Sequence, residues 1–391
     1  MIKYENLLSK VVQDIPPSGI RKFFDIVAVM DDAISLGVGE PDFVTPWAIR
    51  EAGIYSLERG RTYYTANSGV LELREECSNY MNRKYGIEYD SKSEILITVG
   101  GSEAIDLMIR ALIEPGDEVI IPEPCFVCYK PCTVLAGGVP VTVETKEEDN
   151  FRLMPEQLKE KITDKTKLLI LPFPNNPTGA VMSKADLEAI AEVLKDTDIL
   201  VLSDEIYGEL NYSEHPHTPF SCIDGMRERT VIVNGFSKAF AMTGWRLGYA
   251  MGPAPIIKQM TKIHQYGIMS APTTSQYAAI EALKSCDEEV AQMCAEYNYR
   301  RRYIVDRFRN MGLSCFEPLG AFYVFPCIKS LGMTSEEFCE TLLKEEKVAV
   351  VPGNAFGSSG EGFIRCSYAY SIENIQEAMD RIERFVAKHK K

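Results

Sequence analysis

Short runs of β-branched and aliphatic residues alternate with amphipathic stretches over the middle of the 391-residue chain. The runs are 93–101 (SEILITVGG), 117–124 (DEVIIPEP), 166–179 (TKLLILPFPNNPTG), 198–207 (DILVLSDEIY), 230–238 (TVIVNGFSK) and 246–252 (RLGYAMG). Between them lie segments such as 183–196 (SKADLEAIAEVLKD), whose apolar residues recur at helical spacing. This alternation predicts an α/β fold with a mostly parallel sheet between helices. The runs are apolar almost throughout, as strands buried on both faces must be. Beyond about residue 285 the texture changes. A long charged helical pattern, 288–312, leads into 320–326 (GAFYVFP), 348–353 (VAVVPG) and 362–370 (GFIRCSYAY). The expectation is a large domain over 46–285 and a smaller α+β domain formed by 1–45 and 286–391.

The polar interruptions are placed in a telling way. Gly100-Gly101-Ser102-Glu103, Asn175-Asn176, Asp204 and Lys238 each fall at or just past the carboxyl end of an expected strand. In open α/β sheets that edge is where ligands bind. Each cluster also has a purely structural explanation. Ser102 would serve as a helix cap, with Glu103 or Asp106 answering the helix dipole. Asp204 would form a salt bridge or cap a helix over 205–210 (EIYGEL). Lys238 would reach out to solvent from a helix start.

Composition narrows the field. Lys and Arg total 42 against 56 for Asp and Glu, a net charge of −14, which argues against nucleic acid or an anionic membrane surface as a main partner. The first residues lack the charged-then-apolar pattern of a secretion signal, and no apolar run approaches membrane-spanning length, so a cytoplasmic location is expected. Eleven cysteines scattered through apolar segments read as reduced thiols. Cys125, Cys128 and Cys132 look like half of a metal site. With four histidines at no ligand spacing and no second CxxC, structural thiols are the expectation, and no metal.

One cofactor would use the remaining parts together. A lysine in a partly desolvated site near another cation, here Arg246, has a lowered pKa and is able to form a Schiff base. Glycines and free amides at a helix start suit a phosphate. A carboxylate at Asp204 needs a cation or donors, because an unpaired buried charge is costly. Pyridoxal phosphate needs an imine-forming lysine, an acid for its ring nitrogen, donors for its phenolic oxygen and a phosphate cup.

At this point the motifs ISLGVGEPDF, YYTANSGVLELR, TVGGSEAI, PNNPTGA, SDEIY, NGFSKAFAMTGWRLGY, GAFYVFP and FIRCSYAYS, in this order along nearly the whole chain, resemble those of class I aminotransferases of the aspartate aminotransferase fold. The resemblance implies a large pyridoxal-phosphate-binding domain with a mostly parallel, seven-stranded sheet, and a smaller α+β domain. It implies that Lys238 carries the cofactor and moves the substrate proton, and that Asp204 pairs with the ring nitrogen. Tyr207 and Asn176 bond the phenolic oxygen and Phe126 stacks on the ring. The phosphate meets Gly101, Ser102, Arg246 and Tyr64 of a partner subunit, which makes a homodimer the active unit. Arg365 clamps the substrate α-carboxylate, helped by Asn176 and the amide of Gly39. The arm at Ile20 to Phe24 is expected near the substrate.

Two departures stand out. Many members carry a serine three residues before the lysine. Here that position is Gly235, and Ser237 is the candidate substitute. Where members selective for dicarboxylic substrates place a cation, Tyr266 and Ser102 are expected instead. The implied activity is ping-pong transfer of an amino group between an L-amino acid and a 2-oxo acid. Aromatic or broad and N-acetyl-diaminopimelate types stand level, with aspartate third. A carbon–sulfur β-lyase on the same scaffold and a non-catalytic regulator are the alternatives.

Overall fold

The computed structural model of the protein describes residues 2–17, 19 and 32–390. Its strands are β1 (Ile34–Ser35), β2 (Ile95–Thr98), β3 (Glu118–Glu123), β4 (Val139–Glu144), β5 (Thr166–Leu171), β6 (Leu200–Asp204), β7 (Thr230–Gly235), β8 (Gly248–Met251), β9 (Tyr323–Val324), β10 (Val348–Ala349), β11 (Val351–Pro352) and β12 (Ile364–Ser367). The central sheet has seven strands in the order β2-β8-β7-β6-β5-β3-β4. β8 runs antiparallel to its neighbours β2 and β7, and every other adjacent pair is parallel.

Successive residues of these strands serve opposite faces, which is why the runs look apolar without alternation. Ile95, Ile97, Ile232, Tyr249 and Met251 belong to one apolar cluster with the helices Trp47–Glu58, Leu71–Tyr85 and Thr273–Ser285. Leu96, Val231, Val233 and Ala250 belong to another, with the helices Gly101–Leu112 and Ala254–Gly267. Further along, Leu169, Leu171 and Val201 pack with the helix Lys184–Leu194, whose start is fixed by a reciprocal Ser183–Asp186 capping box. The edge strand β4 is not among the runs singled out above. It contains Pro140 and is mostly half-exposed, so it lacks the unbroken apolar signature of its neighbours.

In the C-terminal part, β11, β12 and β9 form an antiparallel sheet. The helices Asp287–Asn310, Ser335–Glu346 and Ile372–His389 bury Tyr297, Ile304, Phe308, Phe338, Leu342, Ile382 and Phe385 in one core. The longest begins with Asp287, Glu288 and Glu289 and ends with Arg307 and Arg309, which matches its dipole at both ends. The N-terminal strand β1 pairs in parallel with β10, Ile34 opposite Val348. This core also takes in Leu36, Tyr207 and Leu210, so it reaches the carboxyl edge of the central sheet.

Candidate active site

Because β3, β5, β6 and β7 are parallel, the segments after them emerge on one edge. There they enclose a cavity of about 460 Å³. Gly39, Gly101, Ser102, Phe126, Asn176, Asp204, Tyr207, Ser237, Lys238, Arg246 and Arg365, widely spaced in sequence, all line it. Tyr64 does not. It is 78% exposed on the same chain, as is Tyr266 at 85%. The expected arm at Ile20 to Phe24 lies outside the described residues.

Lys238 follows β7 in a turn, not at a helix start. Its Nζ points inward and donates to the Gly39 carbonyl oxygen at 2.6 Å. Burial lowers its pKa to about 8, and the Arg365 and Arg246 charges act in the same direction, opposed in part by Glu40. The larger cationic influence is Arg365, not the sequence neighbour Arg246.

Asp204 ends β6 and is followed by turns, so it caps no helix. Its Oδ2 accepts from the Tyr129 hydroxyl at 2.7 Å and its Oδ1 from the Ile206 amide at 3.2 Å. Among the described residues no cation pairs with it. Desolvation pushes its pKa up to about 6, the two donors oppose this, and the neighbouring Glu205 adds to it. Tyr207 packs edge-on against Phe322, and its hydroxyl meets that of Tyr323 at 2.9 Å. Its pKa is raised, mainly by burial.

Arg365, on β12, is also buried. It donates through Nη1 to Asn176 Oδ1 at 2.9 Å and through Nη2 to the Gly37 carbonyl at 2.5 Å. Tyr323 and Phe356 contact its guanidinium at 4.4 and 4.7 Å. Its Nε is buried without a hydrogen-bond partner, and among the described residues no carboxylate pairs with it.

The helix Gly101–Leu112 presents its first amides to the cavity. Ser102 makes no capping bond. Glu103 ties the helix start to its surroundings, one oxygen accepting from the Val99 amide before the helix and the other meeting His264 Nδ1 at 2.7 Å. Arg246 lies directly against Gly100, where an added Cβ would meet the guanidinium at 2.7 Å. The departure at Gly235 has a steric reason. Gly235 pairs with Gly248 between β7 and β8, and a Cβ on it would come within 2.9 Å of Gly248 Cα. Gly248 in turn touches the Gly100–Gly101 peptide. Two site residues went unremarked in the sequence, Tyr129 and Tyr323. The signal for Tyr129 was its position three residues after Phe126.

Cys125, Cys128 and Cys132 are free thiols, and among the described residues no cluster of His, Cys, Asp or Glu is arranged to hold a metal ion. No helix of those residues is long and apolar enough to cross a membrane.

The fold and this cavity define an enzyme that works on amino groups: a parallel sheet whose edge gathers a deprotonation-prone lysine, a buried acid and a buried arginine. The chain belongs to the aminotransferases of class I and II, whose family model matches residues 31–382. It is 48% identical over 380 residues to an aspartate aminotransferase of Pyrococcus abyssi, covering 96% of this chain and 97% of that one. It is 44% identical to a probable N-acetyl-LL-diaminopimelate aminotransferase of Bacillus subtilis, covering 98% and 97%. The crystal structure of an aromatic aminotransferase from Pyrococcus horikoshii superposes with a TM-score of 0.90 at 47% identity, over 94% of this chain and 99% of that one. The protein is thus an aminotransferase (EC 2.6.1.-), acting on amino and 2-oxo acids, in a family that uses pyridoxal phosphate.

Proposed function

We propose that the protein is a homodimeric, pyridoxal-phosphate-dependent aminotransferase of aromatic or broad amino-acid specificity. One observation carries this reading: two buried charges of opposite sign, Asp204 and Arg365, face the same cavity as Lys238 without ion-pair partners among the described residues. A protonated ring nitrogen answers the first and a substrate α-carboxylate the second. Ser102 and Arg246, with the amides of Gly101 and Ser102 and the Ser237 hydroxyl, suit the phosphate. Tyr207 and Asn176 suit the phenolic oxygen, and Phe126 the ring face.

Bound pyridoxal phosphate supplies a carbon that takes the amino group and a cationic ring that withdraws electrons from the substrate Cα. The protein does the rest. Arg365, held in place by Asn176 and Gly37, fixes the α-carboxylate, and the Gly39 amide adds a second donor. Lys238, whose pKa of about 8 leaves a usable fraction of free amine near neutral pH, carries the proton away from Cα. Asp204 keeps the positive charge on the ring nitrogen, and Tyr129 holds its carboxylate in line. The cycle runs twice, first with an L-amino acid and then with a 2-oxo acid.

Three cations line the cavity, Lys238, Arg246 and Arg365, and each is assigned above. None remains among the described lining residues for a distal carboxylate, while Val38, Ile105, Phe126, Pro174 and Ile206 offer apolar walls. These walls support an uncharged or aromatic side chain. The homodimer is supported by the exposure of Ser102 and Arg246 at the phosphate end, which leaves room for the partner subunit's Tyr64, and by the exposed Trp47, Ile54, Tyr55, Tyr63 and Tyr64. The β1–β10 pairing supports a division into 46–285 and a second domain made of 1–45 with 286–391. Free cysteines throughout support a cytoplasmic location.

The test is a panel of half-reactions followed by cofactor absorbance, with phenylalanine, tyrosine, aspartate, N-acetyl-diaminopimelate and cystathionine. Fastest turnover with phenylalanine or tyrosine is expected. Preference for aspartate or N-acetyl-diaminopimelate overturns the substrate assignment. Pyruvate and ammonia released from cystathionine without an acceptor favours the β-lyase.

A further inference from the structure

The cysteine cluster has no part in the function above, yet it sits beside the site. Cys128 and Cys132 are four residues apart at the start of the helix Tyr129–Leu135, and the Cys132 amide donates to the Cys128 carbonyl at 2.9 Å. One turn apart on a helix, they share a face. Both are half-buried and free, whereas Cys125 is buried. The neighbouring Cys128 and the charge of Arg110 lower the pKa of Cys132, against burial and the charge of Asp106. Thiol–disulfide exchange needs a thiol that can give up its proton beside a second one able to resolve the product.

The turn that carries them also carries Tyr129, whose hydroxyl holds Asp204, and it follows Phe126, which lines the cavity. Residues a turn apart have Cβ atoms roughly 5–6 Å from one another, and a disulfide needs about 3.5–4.5 Å. Bridging must therefore tighten this turn by about 1–2 Å, and Tyr129 lies inside the closed loop.

We propose that Cys128 and Cys132 form a reversible oxidation site whose closure into a disulfide draws Tyr129 away from Asp204 and slows the enzyme. The oxidant is a low-molecular-weight disulfide. The Cys132 thiolate attacks one of its sulfurs, forming a mixed disulfide and releasing one thiolate. Cys128, giving up its proton, then attacks Cys132 Sγ and expels the second. Two protein thiols are oxidised to one disulfide while the small disulfide is reduced to two thiols. The bridge itself is independent of the proposed function, whereas its effect on rate rests on the role given to Asp204.

The experiment treats the holoenzyme with oxidised glutathione and follows peptide masses, cofactor absorbance and turnover together. The expected result is a Cys128–Cys132 bridge with a loss of two hydrogens. Turnover falls roughly tenfold, as for one lost hydrogen bond to a charged group, and dithiothreitol restores it. Cys132→Ser should keep its basal rate and resist the treatment. Cys128→Ser should instead accumulate a stable glutathione adduct on Cys132. Absence of the bridge by mass overturns the site. A bridge with unchanged turnover, or inhibition that persists in Cys132→Ser, overturns its link to Asp204 and leaves the amino-transfer assignment untouched.

Discussion

Replacing Asp204 by Asn tests the electrostatic core of the site. Asn has nearly the same shape: its Oδ1 can accept from the Ile206 amide while its Nδ2 donates to the Tyr129 hydroxyl oxygen, the two groups that now donate to the carboxylate at 3.2 and 2.7 Å. What it removes is the charge. Asp204 has a pKa of about 6 before any cation faces it, so at pH 7.5 the carboxylate is already ionised, and a protonated nitrogen opposite lowers that pKa further. Taking one member from a buried ion pair costs about 3–5 kcal/mol. If the ring charge is needed only as the Cα proton leaves, that loss falls on the barrier, a drop of roughly 10²- to 10⁴-fold in rate. Cofactor binding should suffer far less, because the phosphate contacts and Lys238 are untouched. The assay is a stopped-flow half-reaction at saturating amino acid, with cofactor content measured on the same sample. An Asp204→Asn enzyme within about tenfold of the wild-type rate would refute the assignment.

Three more outcomes follow. Capture of added pyridoxal phosphate by the cofactor-free protein needs the neutral amine of Lys238. Its second-order rate should rise about tenfold per pH unit below pH 8 and level off above it, and a rise continuing to pH 10 would contradict the lowered pKa of about 8. Gly235→Ser should lower the melting temperature through contact with Gly248, with a cost of about 1–3 kcal/mol. An unchanged melt in a cofactor-free sample would show that the strands have room to part. Arg365→Lys keeps the charge but loses the planar fork and its two anchors, so KM for the amino acid should rise roughly 30-fold with a smaller change in kcat, measured by steady-state kinetics.

Much of this was legible in the chain because parallel strands buried on both faces announce themselves as apolar runs, and because the polar residues that interrupt those runs mark one sheet edge. Lys238, Asp204 and Asn176 could be located that way. β4 could not, since a half-exposed edge strand with a proline has no such run. Tyr129 and Tyr323 were hidden for a different reason: a tyrosine in an apolar context reads as core, and only the fold shows that its hydroxyl ends on Asp204 or Tyr207. The strength of Arg365 over Arg246 in setting Lys238 was likewise invisible, because 127 positions of sequence separate partners that share a cavity. The glycine at 235 looked like a missing phosphate contact. In three dimensions it is where β7 and β8 come so close that an added Cβ would meet Gly248 Cα at 2.9 Å.

Arg365 has one further consequence. Its guanidinium is gripped by two aromatic faces, an amide oxygen and a carbonyl, so its position is settled when the chain folds and not when a substrate arrives. On the role proposed for Arg365, every amino acid that binds is measured from the same origin. Choice among them becomes a question of reach: which side chains, starting from that fixed point, end where the walls accept them. Evolution or engineering can move the far boundary of that ruler without touching its zero.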